Sequence, residues 1–260
     1  EWDWSFRPGF FHHHQLDNQS LGLDLAFARD FDGGNTSLSI TYSYRYDNLL
    51  LLYWDGSDRG TDSRTTHNIL FGWTQLVTPR LKSYLGLQLT RQDGILIETY
   101  NFVTLVDGTG VPRMFIDEVL PDNRNRVQAN GRLRYTTEPG KSVGLDASLY
   151  YDDWGVLHGS IEPSYETTFP GERRLRVWYR FSAQDGTKYF TKQSQVATRF
   201  RTQDSDLDSF SMHSPGTTFS FPIKIGDSDR NYRMRISVFG FWRDDGISGF
   251  GTKIGLVRTW

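Results

Sequence analysis

Cysteine is missing from the sequence altogether, and so is any apolar run long enough to cross a membrane as a helix. The first absence removes disulfides, thiolate metal sites and thiol catalysis. The second is decided by length, because the longest apolar run, 49–54, falls far short of the ~20 residues a helical span requires. Net charge is nearly absent as well, −2 over 260 residues, so nothing points to nucleic acid as a partner. Apolar residues are scarce, 37% of the chain, while aromatics reach 15%. A soluble sandwich needs apolar side chains to fill a core between its sheets. Here they suffice for one face of each strand, which is the composition of a membrane barrel with a polar lumen and a thin hydrocarbon belt.

What the sequence has in quantity is alternation. Leu38, Ile40, Tyr42, Tyr44 and Tyr46 interleave with Ser39, Thr41, Ser43 and Arg45, which puts the apolar set on one face of a strand and the polar set on the other. The pattern recurs in about a dozen segments of near ten residues, many ending in an aromatic, the signature of a lipid-exposed barrel. The first three are 2–11, 21–31 and the 38–46 strand. Next come segments carrying Ile69, Phe71 and Trp73; Leu81 to Leu89; Val127 to Tyr135; Val143 to Tyr151; Leu157, Ile161 and Tyr165; and Leu175 to Phe181. The last three are 209–225, the segment from Tyr232 to Trp242, and 250–260. In 209–225 Phe210 and Met212 stand on even positions but Phe219, Phe221 and Ile223 on odd ones, so a bulge is expected near Ser214-Pro215-Gly216.

Connections sort by side. Those at 32–34, 78–80, 138–141, 170–172 and 226–230 are short, whereas 47–66, 92–122 and 184–206 are long. Outer-membrane barrels have short periplasmic turns and longer external loops. The predicted fold is therefore all-β: an up-and-down antiparallel transmembrane β-barrel of about 12 strands, a single domain over 1–260, with both termini periplasmic. In that layout Tyr46, Tyr151, Tyr179, Phe181, Trp242 and Phe250 form one aromatic girdle and Tyr135, Tyr165, Tyr232 and Trp260 the other. The chain starts directly in pattern at Glu1, as a mature or trimmed form would.

Several stretches resemble an uncharacterised Gram-negative outer-membrane family, domain of unknown function 3570. They are Gly72-Trp73-Thr74-Gln75, Thr90-Arg91-Gln92-Asp93-Gly94-Ile95-Leu96, Pro121-Asp122-Asn123-Arg124-Asn125-Arg126, Tyr151-Asp152-Asp153-Trp154-Gly155 and 202–207. The resemblance implies a bacterial outer-membrane location and brings no known activity. Its segments cluster at the external rim, which singles out Arg91, Asp93, Gly94, Asp122, Arg124, Asp152, Asp153 and Trp154 as candidates for a function or a partner contact.

Parity assigns the lumen a surplus of cations. Inward positions carry Arg126, Arg132, Arg134, Arg174, Arg176, Arg180, Lys224, Arg233 and Arg235, with Arg7, Arg45, Lys82 and Lys253 beyond them. The inward acids are Asp146, Asp152, Glu162 and Glu166, with Asp3, Asp24 and Asp30. Rings of fixed positive charge favour anions; equally, rows of Arg facing rows of Asp and Glu would zip the lumen shut. Arg233, Arg235 and Lys224 have no acid nearby in this layout and are expected to form an open basic stripe.

Other clusters carry less. His158 and Ser160 have the spacing used by outer-membrane phospholipases, but Leu157 and Ile161 claim the lipid face, so both point inward without an orienting acid. Asp204, Asp206 and Asp208 alternate as calcium ligands do but lack the Gly and distal Glu of the loop motif. His12-His13-His14 cannot all face one ion. The run 94–106 is apolar for a loop and is expected to constrict the mouth or dock a partner. The expected function is a narrow porin-like channel, with the lipid bilayer and small anionic solutes as partners and no cofactor, metal or catalytic group. The alternatives are a structural barrel anchoring or sheathing an envelope partner protein and, more weakly, a hydrolase.

Overall fold

The computed structural model describes residues 4–53, 55–97, 101–224 and 231–259. The chain meanders through β1 (Trp4–His14), β2 (Asn18–Phe31), β3 (Thr36–Leu52), β4 (Asp58–Thr78) and β5 (Leu81–Gly94). A small separate hairpin follows, β6 (Phe102–Val106) and β7 (Pro112–Asp117). The meander resumes with β8 (Asn123–Glu138), β9 (Lys141–Asp152), β10 (Leu157–Phe169), β11 (Arg173–Asp185), β12 (Phe210–Lys224), β13 (Asn231–Arg243) and β14 (Ser248–Thr259). All but β6 and β7 form one twelve-stranded sheet in chain order, antiparallel throughout. Among the described residues its edges, β1 and β14, do not pair with each other, so the expected closure of the barrel is not seen.

Tight turns set the register at one end. Asp32–Gly34 forms a 3-10 turn with positive φ at all three residues, +53°, +64° and +90°, a conformation that two glycines make cheap. Pro79-Arg80 joins β4 to β5, and Pro139-Gly140 joins β8 to β9. The turn expected at 226–230, along with Trp2, Asp3, Tyr100 and Trp260, lies outside the described residues, as does the Lys224 side chain.

The pleat sorts side chains as the alternation predicts, and the outcome is the reverse of a soluble core. In β9 Val143, Leu145, Ala147, Leu149 and Tyr151 are exposed, whereas Ser142, Gly144, Asp146, Ser148 and Tyr150 are more covered and Asp152 is buried. Leu85, Leu145 and Val177 all lie on the open face. Buried polar side chains such as Asp47, Gln92, Asp152, Glu162 and Arg243 outnumber the buried apolar ones, Leu51, Val103, Val106, Trp154 and Val156. The polar face is concave: Leu70, Tyr84 and Gln88 of β4 and β5 line one cavity with Phe210 and Met212 of β12, six strands along the sheet.

Glycines let large interior side chains lie flat on that face. A Cβ on Gly216 would stand 2.2 Å from the Trp178 ring, and one on Gly251 2.5 Å from Phe239. Ring over glycine fills the groove a missing side chain leaves in a sheet.

Three expectations are corrected. β12 holds one register against both β11 and β13, with no bulge near Pro215. Even positions therefore face inward along its whole length. Phe210 and Met212 are interior apolar residues, and His213 is the outward one. The connection expected at 47–66 is instead a long hairpin, since β3 and β4 stay paired from Thr36↔Gln75 to Leu52↔Asp58. Its outer β4 segment, 58–62, shows no alternation because its residues are exposed on both faces. Lastly, 92–122 is not one loop, because β5 runs on to Gly94 and the β6–β7 hairpin occupies the middle.

Candidate functional site: a basic interior beneath a cap

Four strands, β8 to β11, build the charged wall of the cavity, and their register decides which groups can meet. Arg132 stands opposite Asp146, and Asp146 opposite Glu162. Two carboxylates facing each other repel. The arginines on either side offset this. Arg132 Nε donates to Asp146 at 2.6 Å and Arg134 Nη2 at 2.5 Å. Arg176 Nη2 bridges both acids, 3.3 Å to Asp146 and 2.8 Å to Glu162, and Arg180 donates to Glu162 at 2.9 Å. Four guanidinium groups thus share two carboxylates along the wall. The pairs lie along the sheet and not across its concave side, leaving a cavity of about 860 Å³. Below it a second space of about 430 Å³ holds Lys82 and Arg134, and Tyr84, Arg132 and Arg176 border both.

The other predicted lumen charges divide. Glu166 stands opposite Arg176 yet makes no ion pair among the described residues, because Arg176 reaches past it to Glu162 and Asp146. Arg174 and Arg235 likewise have no carboxylate among them. Arg233 overturns the expectation of a stripe without acids, since its side chain reaches the 170–172 turn and binds Glu172 at 2.9 Å. Arg126 and Asp152 are opposed in register but do not bond; Asp152 is taken by Arg124 at 2.8 and 2.5 Å.

That Arg124–Asp152 pair anchors the rim. Asp152 also accepts the Tyr150 hydroxyl at 2.7 Å and the Val156 amide at 3.0 Å. Trp154 folds over Arg124, 4.2 Å from guanidinium to ring, and donates to the Asn123 carbonyl at 2.9 Å. On the outer face Arg91 grips Asp93 through two bonds of 2.8 Å, and Asn125 donates to Asp153 at 2.7 Å. Gly94 adopts φ +113° with its amide on the Asp122 carbonyl, and a Cβ there would sit 2.2 Å from the Ser63 carbonyl oxygen. All eight rim candidates are therefore joints of one framework.

The framework carries a cap. The β6–β7 hairpin meets the 186–209 segment through the bridge Leu105↔Ser194, and Val119 just after it through Val119↔Arg201. Val103 and Thr202 are fully buried between them, and Thr202 donates to a nearly buried Glu118. Within the apolar run 94–106, Val103 and Val106 are thus buried in the cap's own core. Asp107 shapes the hairpin turn by accepting the Thr109 hydroxyl and the Val111 and Thr109 amides, which hold its carboxyl below the usual carboxylate range. A latch missed by the sequence reading ties the cap to β13: Arg243, buried against the Phe210 ring at 3.7 Å, binds Asp206 at 2.7 Å and Asp245 at 2.6 Å. The paired charges lie 37 residues apart, so no local pattern announces them.

The lesser candidates are dispersed. Asp204 accepts from the Asp206 amide, Asp206 binds Arg243 and Asp208 meets Lys192, so the three carboxylates face separate partners. Ser160 pairs with Ser148 at 2.7 Å, and His158 makes no hydrogen bond among the described residues.

Residues 52–228 match the family described as "Protein of unknown function (DUF3570)". The chain belongs to this family. Its matched region takes in the charged wall, the rim framework and the cap. Among solved structures the chain is similar to BamA from Haemophilus ducreyi lacking POTRA domains 1-3, at 11% identity and a TM-score of 0.46 over 92% of this chain. The match takes in 52% of that chain, so this protein spans about half its length. No curated protein matches.

Proposed function

We propose that this family member is an outer-membrane β-barrel acting as a narrow, capped conduit that prefers small anions. An outer face of exposed Leu, Ile, Val and aromatic side chains around a polar interior is stable in a bilayer and costly in water. No helix among the described residues is long and apolar enough to offer another way across. The observation that carries the conduit reading is the wall of Arg132, Arg134, Arg176 and Arg180 sharing Asp146 and Glu162 around an open cavity of about 860 Å³. Fixed guanidinium charge in a narrow, low-dielectric bore concentrates anions.

Reversal potentials in planar bilayers under a KCl gradient test this. Wild type is expected to pass chloride over potassium, and Arg132→Glu with Arg180→Glu to lower that preference; their side chains are 58% and 49% exposed into the bore. Cation selectivity, or no conductance even with the cap latch released, overturns the proposal. A structural barrel sheathing an envelope partner is the second reading, supported by the cap, whose Asp206 and Leu207 line one side of the main cavity.

A further inference from the structure

Arg126 is half-buried in the interior wall of β8, and its guanidinium has no hydrogen-bond acceptor and no carboxylate among the described residues. Its Nε is fully enclosed. Arginine does not shed its proton in proteins, so a covered guanidinium with no directly bonded counterion, Asp152 acting on it only at a distance, is costly and calls for an anion. The register offers Asp152, but that carboxylate is already saturated by Arg124, Tyr150 and the Val156 amide. Arg64, the other cation nearby, is held by Asp47 at 3.1 Å.

Arg126 faces a cavity of about 210 Å³ in which it is the one charged lining residue; the others are neutral and polar, among them Thr66, Asn68, Gln92 and Gln128. That is the liquid volume of about seven waters, enough for a tetrahedral oxyanion and part of its hydration. The Asn68 amide nitrogen has no acceptor among the described residues. Gln92 Nε2 gives one of its N–H groups to Thr66, and Gln92 Oε1 is a buried acceptor with no donor among the described residues. A forked donor, an amide donor and an unused acceptor in one pocket match an oxyanion that keeps a hydroxyl of its own.

We propose that the Arg126 pocket binds a small hydroxyl-bearing oxyanion of the hydrogenphosphate kind, with Arg126 and Asn68 donating to its oxygens and Gln92 Oε1 accepting from its hydroxyl. The pocket opens on the main cavity through Gln88, Gln128 and Tyr150, and so lies beside the path taken by solutes. The site rests on the reading of the polar face as a solute-accessible bore, but its occupancy does not require conduction.

Equilibrium dialysis of radiolabelled inorganic phosphate against the purified full chain in detergent tests it. Saturable binding near one equivalent is expected, weakened about tenfold or more in Arg126→Gln. Gln92→Glu keeps Arg126 and gives the pocket its own carboxylate, so it too should abolish binding while leaving the fold at least as stable. Sulfate matches phosphate in shape but has no hydroxyl at neutral pH, and it should compete about tenfold less well. Absence of saturable phosphate binding, undiminished binding in Gln92→Glu, or sulfate competing equally overturns the assignment. Conductance without binding removes this pocket and leaves the conduit; binding without conductance does the reverse.

Discussion

Replacing Asp152 by Ala is the most severe single change this structure predicts. The carboxylate is fully covered, and Arg124 beside it is 11% exposed. It accepts four hydrogen bonds, two from Arg124 at 2.8 and 2.5 Å, one from Tyr150 at 2.7 Å and one from the Val156 amide at 3.0 Å. Bonds to an ionised partner contribute about 1.5–3 kcal/mol each, but they share one site and do not add. The governing cost is the guanidinium left covered without a counterion, which sets the loss at about 3–5 kcal/mol.

Removing both charges separates this from a packing effect. The double variant Arg124→Met, Asp152→Leu should recover the part due to the stranded charge, ending about 1–3 kcal/mol below wild type because the buried Val156 amide still lacks its acceptor. Urea unfolding in lipid vesicles, followed by tryptophan fluorescence, measures all four corners of the cycle. Trp154 sits on Arg124, so its emission also reports whether the rim has opened. An Asp152→Ala loss below about 1 kcal/mol, or a double variant no better than the single one, would refute the argument that a buried charge governs the rim.

Other perturbations follow from the same geometry. Leu85→Arg or Leu145→Arg on the open face should cost about 2–4 kcal/mol in a bilayer, whereas Gln88→Arg, on the interior face, should be nearly neutral in the same unfolding assay. Gly94→Ala places a Cβ 2.2 Å from the Ser63 carbonyl at φ +113°, and should cost about 1–3 kcal/mol of backbone strain. Arg243→Leu unlatches Asp206 and Asp245, and should raise single-channel conductance; an unchanged conductance would mean that the cap does not gate the bore. Asp107 has a depressed folded pKa, so its hold on the hairpin turn is complete above its ordinary value of 3.8 and fades as pH falls through the lower folded value. Amide exchange at Thr109 and Val111 should accelerate in that acid range, and Asp107→Asn should show the acceleration already at neutral pH.

Strand identity was legible wherever one face meets an apolar medium and the other does not. From Val143 to Tyr151 the polarity of each side chain reports its face and its burial follows, and from Val127 to Tyr135 the same holds except at Gly131 and Arg132. The signal fails where the environment stops differing between faces. Residues 58–62 are polar and exposed on both sides, and 63–66 are polar on both sides although half-buried, so a strand looks like a loop. At Phe210 and Met212 the failure is opposite: the interior turns apolar beneath Leu207 and the Arg243 side chain, and a correct register looks like a bulge.

Ion pairing was the least legible feature, for a reason of length. Backbone register was deducible, but an arginine side chain spans more than one strand spacing. Arg134 and Arg176 both reach Asp146 from positions not directly opposite it, and Arg233 reaches Glu172 across two strands. Counting inward charges does not say which guanidinium reaches which carboxylate.

The rim segments that carry the family resemblance acquire a physical meaning once their parity is known. Gln92, Arg124, Arg126 and Asp152 turn inward, while Arg91, Asp93, Asn125 and Asp153 turn outward. The outward set pairs with itself, Arg91 with Asp93 and Asn125 with Asp153, and so stiffens the outer edge. Of the inward set, Arg124 and Asp152 are consumed in holding the 153–155 turn against the mouth. That consumption is what leaves Arg126 without a carboxylate. Stability alone would be served as well by a neutral side chain at 126, since the rim is complete without it and a half-covered guanidinium is a cost. A charge that the framework does not use, facing a polar pocket, is what the proposed oxyanion site would put to use.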